Sequence, residues 1–248
     1  MVKKKTAQRQ KSELSEAALK QKLVQACHIL VMHGQGDDLM GHMTARQPGA
    51  DVFWMKPAKM GLEEIKPSDL ILVDLDGNVL RGSRPRHSEV FIHAEIMRAR
   101  PDVSAVIHTH PATCNAFSSL GVPLRPITHE GTYFVPPDVP RFTETTDLII
   151  TPELGKAVAR TLGDRPALFL VNHGIAATGG TIEESLINAL ALDKAARTQL
   201  LVPGGTPRHW TPDDEARVKG ARVMKNPPLA DRFQYYVRKL AQWERQAR

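Results

Sequence analysis

Between residues 14 and 203, short apolar runs alternate with segments of helical periodicity, and that alternation restricts the chain to the α/β class. Leu14, Ala17, Leu19, Leu23, Ala26, Cys27, Leu30 and Val31 predict an amphipathic helix over 14–33 that closes at Gly34. Residues 52–55 and 70–74 read as strands, the second turning through Asp76-Gly77 into Val79-Leu80. A helix over 88–100 stops at Pro101, because the residue before a proline is displaced from the α region. Residues 103–107 read as a strand, 112–120 as a helix and 148–150 as another short strand; Pro152 opens a helix to 162. The run 167–171 suits a buried strand, and Thr181 with Glu184 three residues on is a capping box that starts a long helix to Leu200.

No internal repeat or composition-biased linker divides this stretch, so 14–203 is expected to form one α/β domain. A basic flexible tail is expected over 1–13, and a C-terminal helical extension over 204–248, with Phe233, Tyr235, Tyr236, Leu240 and Trp243 covering the same core or a neighbouring subunit. The net charge of +6 would suit a nucleic-acid partner only if it formed a stripe. It does not: residues 1–12 carry +5 and residues 231–248 carry +3, leaving about −2 on everything between. Aromatics are 5% of the chain, too few for a base-stacking platform, so no nucleic-acid partner is expected. No apolar run reaches the roughly 18 residues of a membrane span and no secretory leader opens the sequence, so a cytoplasmic protein without a membrane partner is expected. The two cysteines, Cys27 and Cys114, sit in apolar helical contexts that suit buried free thiols.

The chemistry concentrates in the histidines. His108 and His110 end the strand that starts at Val103, and residues two apart on a strand face the same way, so both imidazoles can meet one metal ion. His173, at the end of the 167–171 strand, completes a three-histidine face if the two strands lie close; such a set with an open position is the catalytic pattern for zinc or a similar ion. The same pair also fits two structural histidines bonded to backbone. Glu89 begins the helix at 88, with His93 four residues on and on the same face. It suits a general acid/base beside a metal, and equally a carboxylate complementing the helix dipole. Asp37-Asp38 and the stretch 41–46 read as a glycine-rich turn with solvated charges, and Lys56 and Lys59 as anion binders or exposed cations. Neither a P-loop nor a GxGxxG fingerprint occurs.

Taken together, Gly41-His42-Met43-Thr44-Ala45-Arg46, His87-Ser88-Glu89, the stretch from Pro101 to His108-Thr109-His110-Pro111, and Asn172-His173-Gly174 resemble the class II aldolase/adducin family over about residues 15–202. The resemblance implies an α/β/α sandwich with a central mixed or antiparallel sheet flanked by helices, in a homo-oligomer of four or more subunits. It implies that His108, His110 and His173 bind one Zn²⁺ or Mn²⁺ per subunit, that Glu89 and His42 are catalytic, and that Tyr235 reaches a neighbouring subunit's site. The family's sugar-phosphate enzymes carry Gly-Asn-Xaa-Ser, Thr-Pro-Ser/Thr-Gly and Ser-Ser-Glu loops, and all three differ here. His42 replaces the asparagine, Lys56-Pro57-Ala58-Lys59 fills the second loop and His87 replaces the first serine of the third. That points to a small non-phosphorylated carboxylic acid, held by Arg46, Lys56, Lys59, Ser88 and His87, and to the branch of decarboxylases. The implied function is a carbon–carbon lyase that decarboxylates a hydroxylated aromatic or heteroaromatic acid through a metal-stabilised enolate. Retro-aldol cleavage is the alternative, followed by dehydration, epimerisation and a non-enzymatic adducin-like role.

Overall fold

A computed structural model describes residues 14–246. The tail expected over 1–13 therefore lies outside the described residues. Helix α1 (Glu16–Met32) is capped by Ser15, whose hydroxyl accepts from Ala18 N–H, and Gly34 follows it at φ +78°. The strands are β1 (His42–Ala45), β2 (Val52–Met55), β3 (Ile71–Asp74), β4 (Val79–Arg81), β5 (Ala105–Thr109), β6 (Arg141–Phe142), β7 (Ala167–Leu170) and β8 (Gly174–Gly179). They form one eight-stranded sheet in the order β4-β3-β2-β1-β5-β8-β7-β6, antiparallel throughout except for the parallel β6–β7 pair.

Two helical layers cover this sheet. On one face α1, α3 (Ala112–Ser119), α5 (Ile182–Leu200) and α7 (Leu229–Gln246) bury Leu23, Ile29, Met43, Ile107, Phe117, Phe169, Leu192 and Phe233. On the other, α2 (Val90–Ala99) and α4 (Pro152–Leu162) bury Phe53, Ile71, Val73, Ile92, Ile96, Val106, Val158 and Leu168. The alternation of Val106 and Ile107 between the two cores is the period of a strand buried on both faces. Helices α2 and α4 cross so closely that a Cβ on Gly155 would lie 2.5 Å from the Phe91 carbonyl, and that contact fixes where α2 begins. Beyond 204, α6 (Asp213–Lys225) lies against the 3₁₀ turn Glu130–Tyr133, and α7 packs on α1, where His28 Nδ1 meets Glu244 Oε1 at 3.3 Å. No helix among the described residues is long and apolar enough to cross a membrane.

The structure corrects two expectations about elements. Residues 41–46 are not a solvated turn: His42–Ala45 is a buried strand next to β5, entered through Gly41 at φ +48°. Residues 148–150 are not a strand; only Ile149 is buried there, and the edge strand is Arg141–Phe142 instead.

Candidate metal centre

The sheet brings the expected histidines together through its register. His42 and His108 are direct partners across the antiparallel β1–β5 pair, on the face that α2 covers. β8 lies between β5 and β7, so the β7–β8 turn delivers His173 beside the end of β5. Two local features make that turn possible. Asn172 takes the left-handed conformation at φ +58°, and a Cβ on Gly174 would stand 2.6 Å from the Thr109 carbonyl and 2.8 Å from the His110 ring. Glu89 reaches the same place from the N-terminal end of α2, its Oε1 accepting Ile149 N–H at 2.9 Å.

Donor atoms of Glu89, His108, His110 and His173 all lie within 4.8 Å of one another. The hydrogen on the outer nitrogen of two of these histidines can be placed. His108 Nδ1–H donates to the Ile175 carbonyl at 2.9 Å, and His110 Nδ1–H donates to Asp37 Oδ2 at 2.9 Å. In the neutral rings both Nε2 atoms are then lone pairs, and they stand only 3.0 Å apart. Two lone pairs this close need a shared electrophile, and two nitrogens on one tetrahedral zinc, at about 2.0–2.1 Å each, come about 3.3 Å apart. His173 supplies independent support: both of its ring nitrogens are buried without a hydrogen-bond partner among the described residues. Burial raises the Glu89 carboxyl, and proton-bearing imidazoles at His108, His173 and His42 would reverse that and draw it well below the carboxylate range. With lone pairs turned inward, the charge that the carboxylate faces is best supplied by a divalent cation. The residues fit the ion.

His42 Nε2 is 3.8 Å from Glu89 Oε2, with His108 Nε2 3.5 Å from the same oxygen and His173 Nε2 3.4 Å from Glu89 Oε1. His87 closes the cluster from outside, its ring centroid 4.4 Å from that of His42. Burial pushes His42 and His93 well below the ordinary histidine value; His87, half-buried and beside Lys56, falls to about 3. An acid-sensitive fold follows. These three rings stay neutral in the folded chain, whereas the unfolded chain protonates them below about 6.5, so stability is lost as pH falls from that value toward the folded ones. Each ring contributes a slope of about 1.4 kcal/mol per pH unit. Urea midpoints of the metal-free protein are expected to drop steeply between pH 6.5 and 5; midpoints flat across that interval would contradict the neutral cluster.

The cations expected to hold substrate are placed differently. Arg46 is at the far end of β1 from His42, buried, with its guanidinium donating to the carbonyls of Val103, Ala50, Met97 and Arg100. It closes the C-terminal end of α2 and is not a substrate contact. Lys56 is fully buried; its ammonium donates to the carbonyls of Leu39 and Met40 at 2.9 and 3.2 Å and lies 3.2 Å from His87 Nε2, which itself donates to the Pro57 carbonyl at 3.1 Å. Its two carbonyl bonds clamp a loop, and burial lowers it to about 8. Lys59, with φ +62°, and Ser88 are exposed. Tyr235 is half exposed on α7, its ring against Tyr236, which packs on His33, so its own chain does not bring it into the cluster. Asp37, read as a solvated charge, is the partner that orients His110, and only the fold reveals it.

A largely antiparallel eight-stranded sheet with three imidazoles and a carboxylate gathered at one of its ends defines a protein built to hold a divalent ion for chemistry. The chain belongs to the class II aldolase and adducin N-terminal domain family, whose model matches residues 21–200. It is 31% identical to a 3,4-dihydroxyphthalate decarboxylase of Arthrobacter keyseri over 202 residues, 77% of this chain and 81% of the relative. It is 35% identical to the decarboxylase NovR of Streptomyces niveus over 190 residues, covering 75% and 70% of the two chains. The solved L-fuculose 1-phosphate aldolase from Glaciozyma antarctica PI12 superposes with a TM-score of 0.81 at 28% identity, covering 93% of this chain and 91% of that one. With decarboxylases and an aldolase among such relatives, the chain is a lyase of this family.

Proposed function

We propose that the protein decarboxylates a small, non-phosphorylated, hydroxylated aromatic or heteroaromatic acid, with His108, His110 and His173 holding one Zn²⁺ or Mn²⁺ and with Glu89 and His42 handling the proton. The observation that carries this reading is the pairing of the Glu89 carboxylate with His42, 3.8 Å apart, directly beside the three imidazoles. The bound ion supplies Lewis acidity, an electron sink for the pair released when a carbon–carbon bond breaks. Glu89 takes the proton of a substrate hydroxyl and returns it to the ring carbon that bears the leaving carboxylate. The electrons of the breaking bond then flow to the neighbouring oxygen and carbon dioxide departs, so that one proton has moved from oxygen to carbon. The relatives named as decarboxylases support this choice over retro-aldol cleavage.

The substrate's remaining carboxylate is assigned to Lys59 and Ser88, with His87 beside them; Ala58 N–H donates to the Pro85 carbonyl at 2.9 Å and so joins the two loops. With Lys56 committed to carbonyls, the second loop lacks a buried cation for a phosphate, which supports a non-phosphorylated acid. Tyr235, exposed on α7, is assigned to the site of a neighbouring copy in a homo-oligomer of four or more chains. The test is carbon dioxide release by the metal-replete protein across ortho-hydroxylated aromatic dicarboxylates and 4-hydroxy-2-oxo acids, with aldehyde and pyruvate measured in the same reactions. Gas without aldehyde is the expected result. Aldehyde and pyruvate without gas would move the protein to the aldolases.

A further inference from the structure

Behind His42 lies a buried polar chain whose direction can be read atom by atom. His42 Nδ1 is 2.6 Å from His93 Nε2, and His93 Nδ1 is 2.8 Å from Thr44 Oγ1. Thr44, His42 and His93 are at most 2% exposed. The Thr44 hydroxyl donates to the Val106 carbonyl at 3.5 Å, which leaves its oxygen as an acceptor toward His93. His93 therefore carries its hydrogen on Nδ1 and offers a lone pair at Nε2, so the hydrogen between the two rings belongs to His42 Nδ1. The remaining nitrogen, His42 Nε2, is bare and faces Glu89 Oε2 across 3.8 Å.

We propose that Thr44 and His93 are positioning residues that lock His42 in the tautomer with a bare Nε2, so that it accepts a hydrogen bond from whichever O–H occupies the gap before Glu89. This rests on the reading of Glu89 and His42 as the pair that handles the proton. The direction matters because the opposite tautomer, with a hydrogen on Nε2, would donate to the Glu89 carboxylate and offer a substrate hydroxyl no acceptor on this side. A bare Nε2 instead gives that hydroxyl an acceptor beside the carboxylate and so orients it. The spacing has a sequence origin: Thr44 and His42 are two apart on β1 and share a face, while His93 lies four residues beyond Glu89 on the first turns of α2.

The test uses full-length, metal-replete protein with ¹⁵N-labelled histidine, resonances assigned by their loss in His42→Asn and His93→Asn variants, together with turnover in whichever product channel is active. Two-bond correlations at pH 7.5 are expected to show both His42 and His93 protonated on Nδ1. Thr44→Val is expected to redistribute those tautomers and lower kcat by about ten- to a hundredfold, with KM and metal content unchanged. Thr44→Ser keeps the hydroxyl and is expected to restore both readouts. A wild-type His42 protonated on Nε2, or tautomers redistributed in Thr44→Val without loss of kcat, would overturn the proposal. Absence of carbon dioxide with turnover in the aldol channel would defeat the decarboxylase reading alone, because the tautomers and the Thr44 effect are read independently of the product.

Discussion

Replacement of His108 by alanine is expected to abolish stoichiometric metal binding and to lower turnover by about a thousandfold or more. Structural zinc sites in zinc-finger peptides contribute on the order of 10–16 kcal/mol; on that scale one imidazole of three accounts for about 4 kcal/mol, and each 1.4 kcal/mol is tenfold in binding. Outside the cluster, His108 bonds through Nδ1–H to the Ile175 carbonyl at 2.9 Å. His173→Ala should behave alike, and more mildly for the fold, since its nitrogens have no hydrogen-bond partner among the described residues. Metal content after dialysis and initial rates measure both. Full occupancy and full activity in either variant would remove that histidine from the metal centre.

Glu89→Gln is expected to separate binding from chemistry. Glutamine preserves the shape and the acceptor that Ile149 N–H uses, and its amide can donate to His42 Nε2, so metal content should stay at wild-type level. What it cannot do is carry a proton from oxygen to carbon. The expected loss is about 10²–10⁴ in kcat, the usual span for a general acid/base. Loss of metal together with activity would make the carboxylate a fourth ligand instead, a role its place among the four clustered donors also permits.

The sequence reading and the structure agree where one physical rule governs one segment. Glycine and proline punctuation delimit α1 and α4, the capping box starts α5 with Thr181 Oγ1 accepting Glu184 N–H, and the two-residue period of β5 aims His108 and His110 the same way. Agreement fails where a neighbour decides. His42–Ala45 has little β-branched character, and it is a strand because β2 and β5 pair with it on both sides. Leu148-Ile149-Ile150 is as apolar as a strand, yet its role is to offer Ile149 N–H to Glu89. Arg46 and Lys56 look like anion binders in one dimension because a charge gives no sign of the carbonyls that will surround it. His173 could be joined to the pair only by supposing that the two strands lie close, since nothing local says that β8 will insert between β5 and β7. Hydrogen-bond direction through Thr44, His93 and His42 has no signature in the sequence at all.

The four donor residues come from positions 89, 108, 110 and 173, with the orienting carboxylate at 37, so the centre draws on segments up to 136 residues apart. Such a constellation exists only after the sheet has closed, and the unfolded chain offers the ion no comparable grip. Mass action then couples fold to supply: free metal at a hundredfold excess over its dissociation constant adds about 2.7 kcal/mol to the stability of the native state. In a cell this makes the enzyme's abundance, and not merely its rate, a function of metal availability. Scarcity lowers the population of folded chains and leaves more of them to proteases, so the ligand set serves as a quality checkpoint as well as a reaction centre.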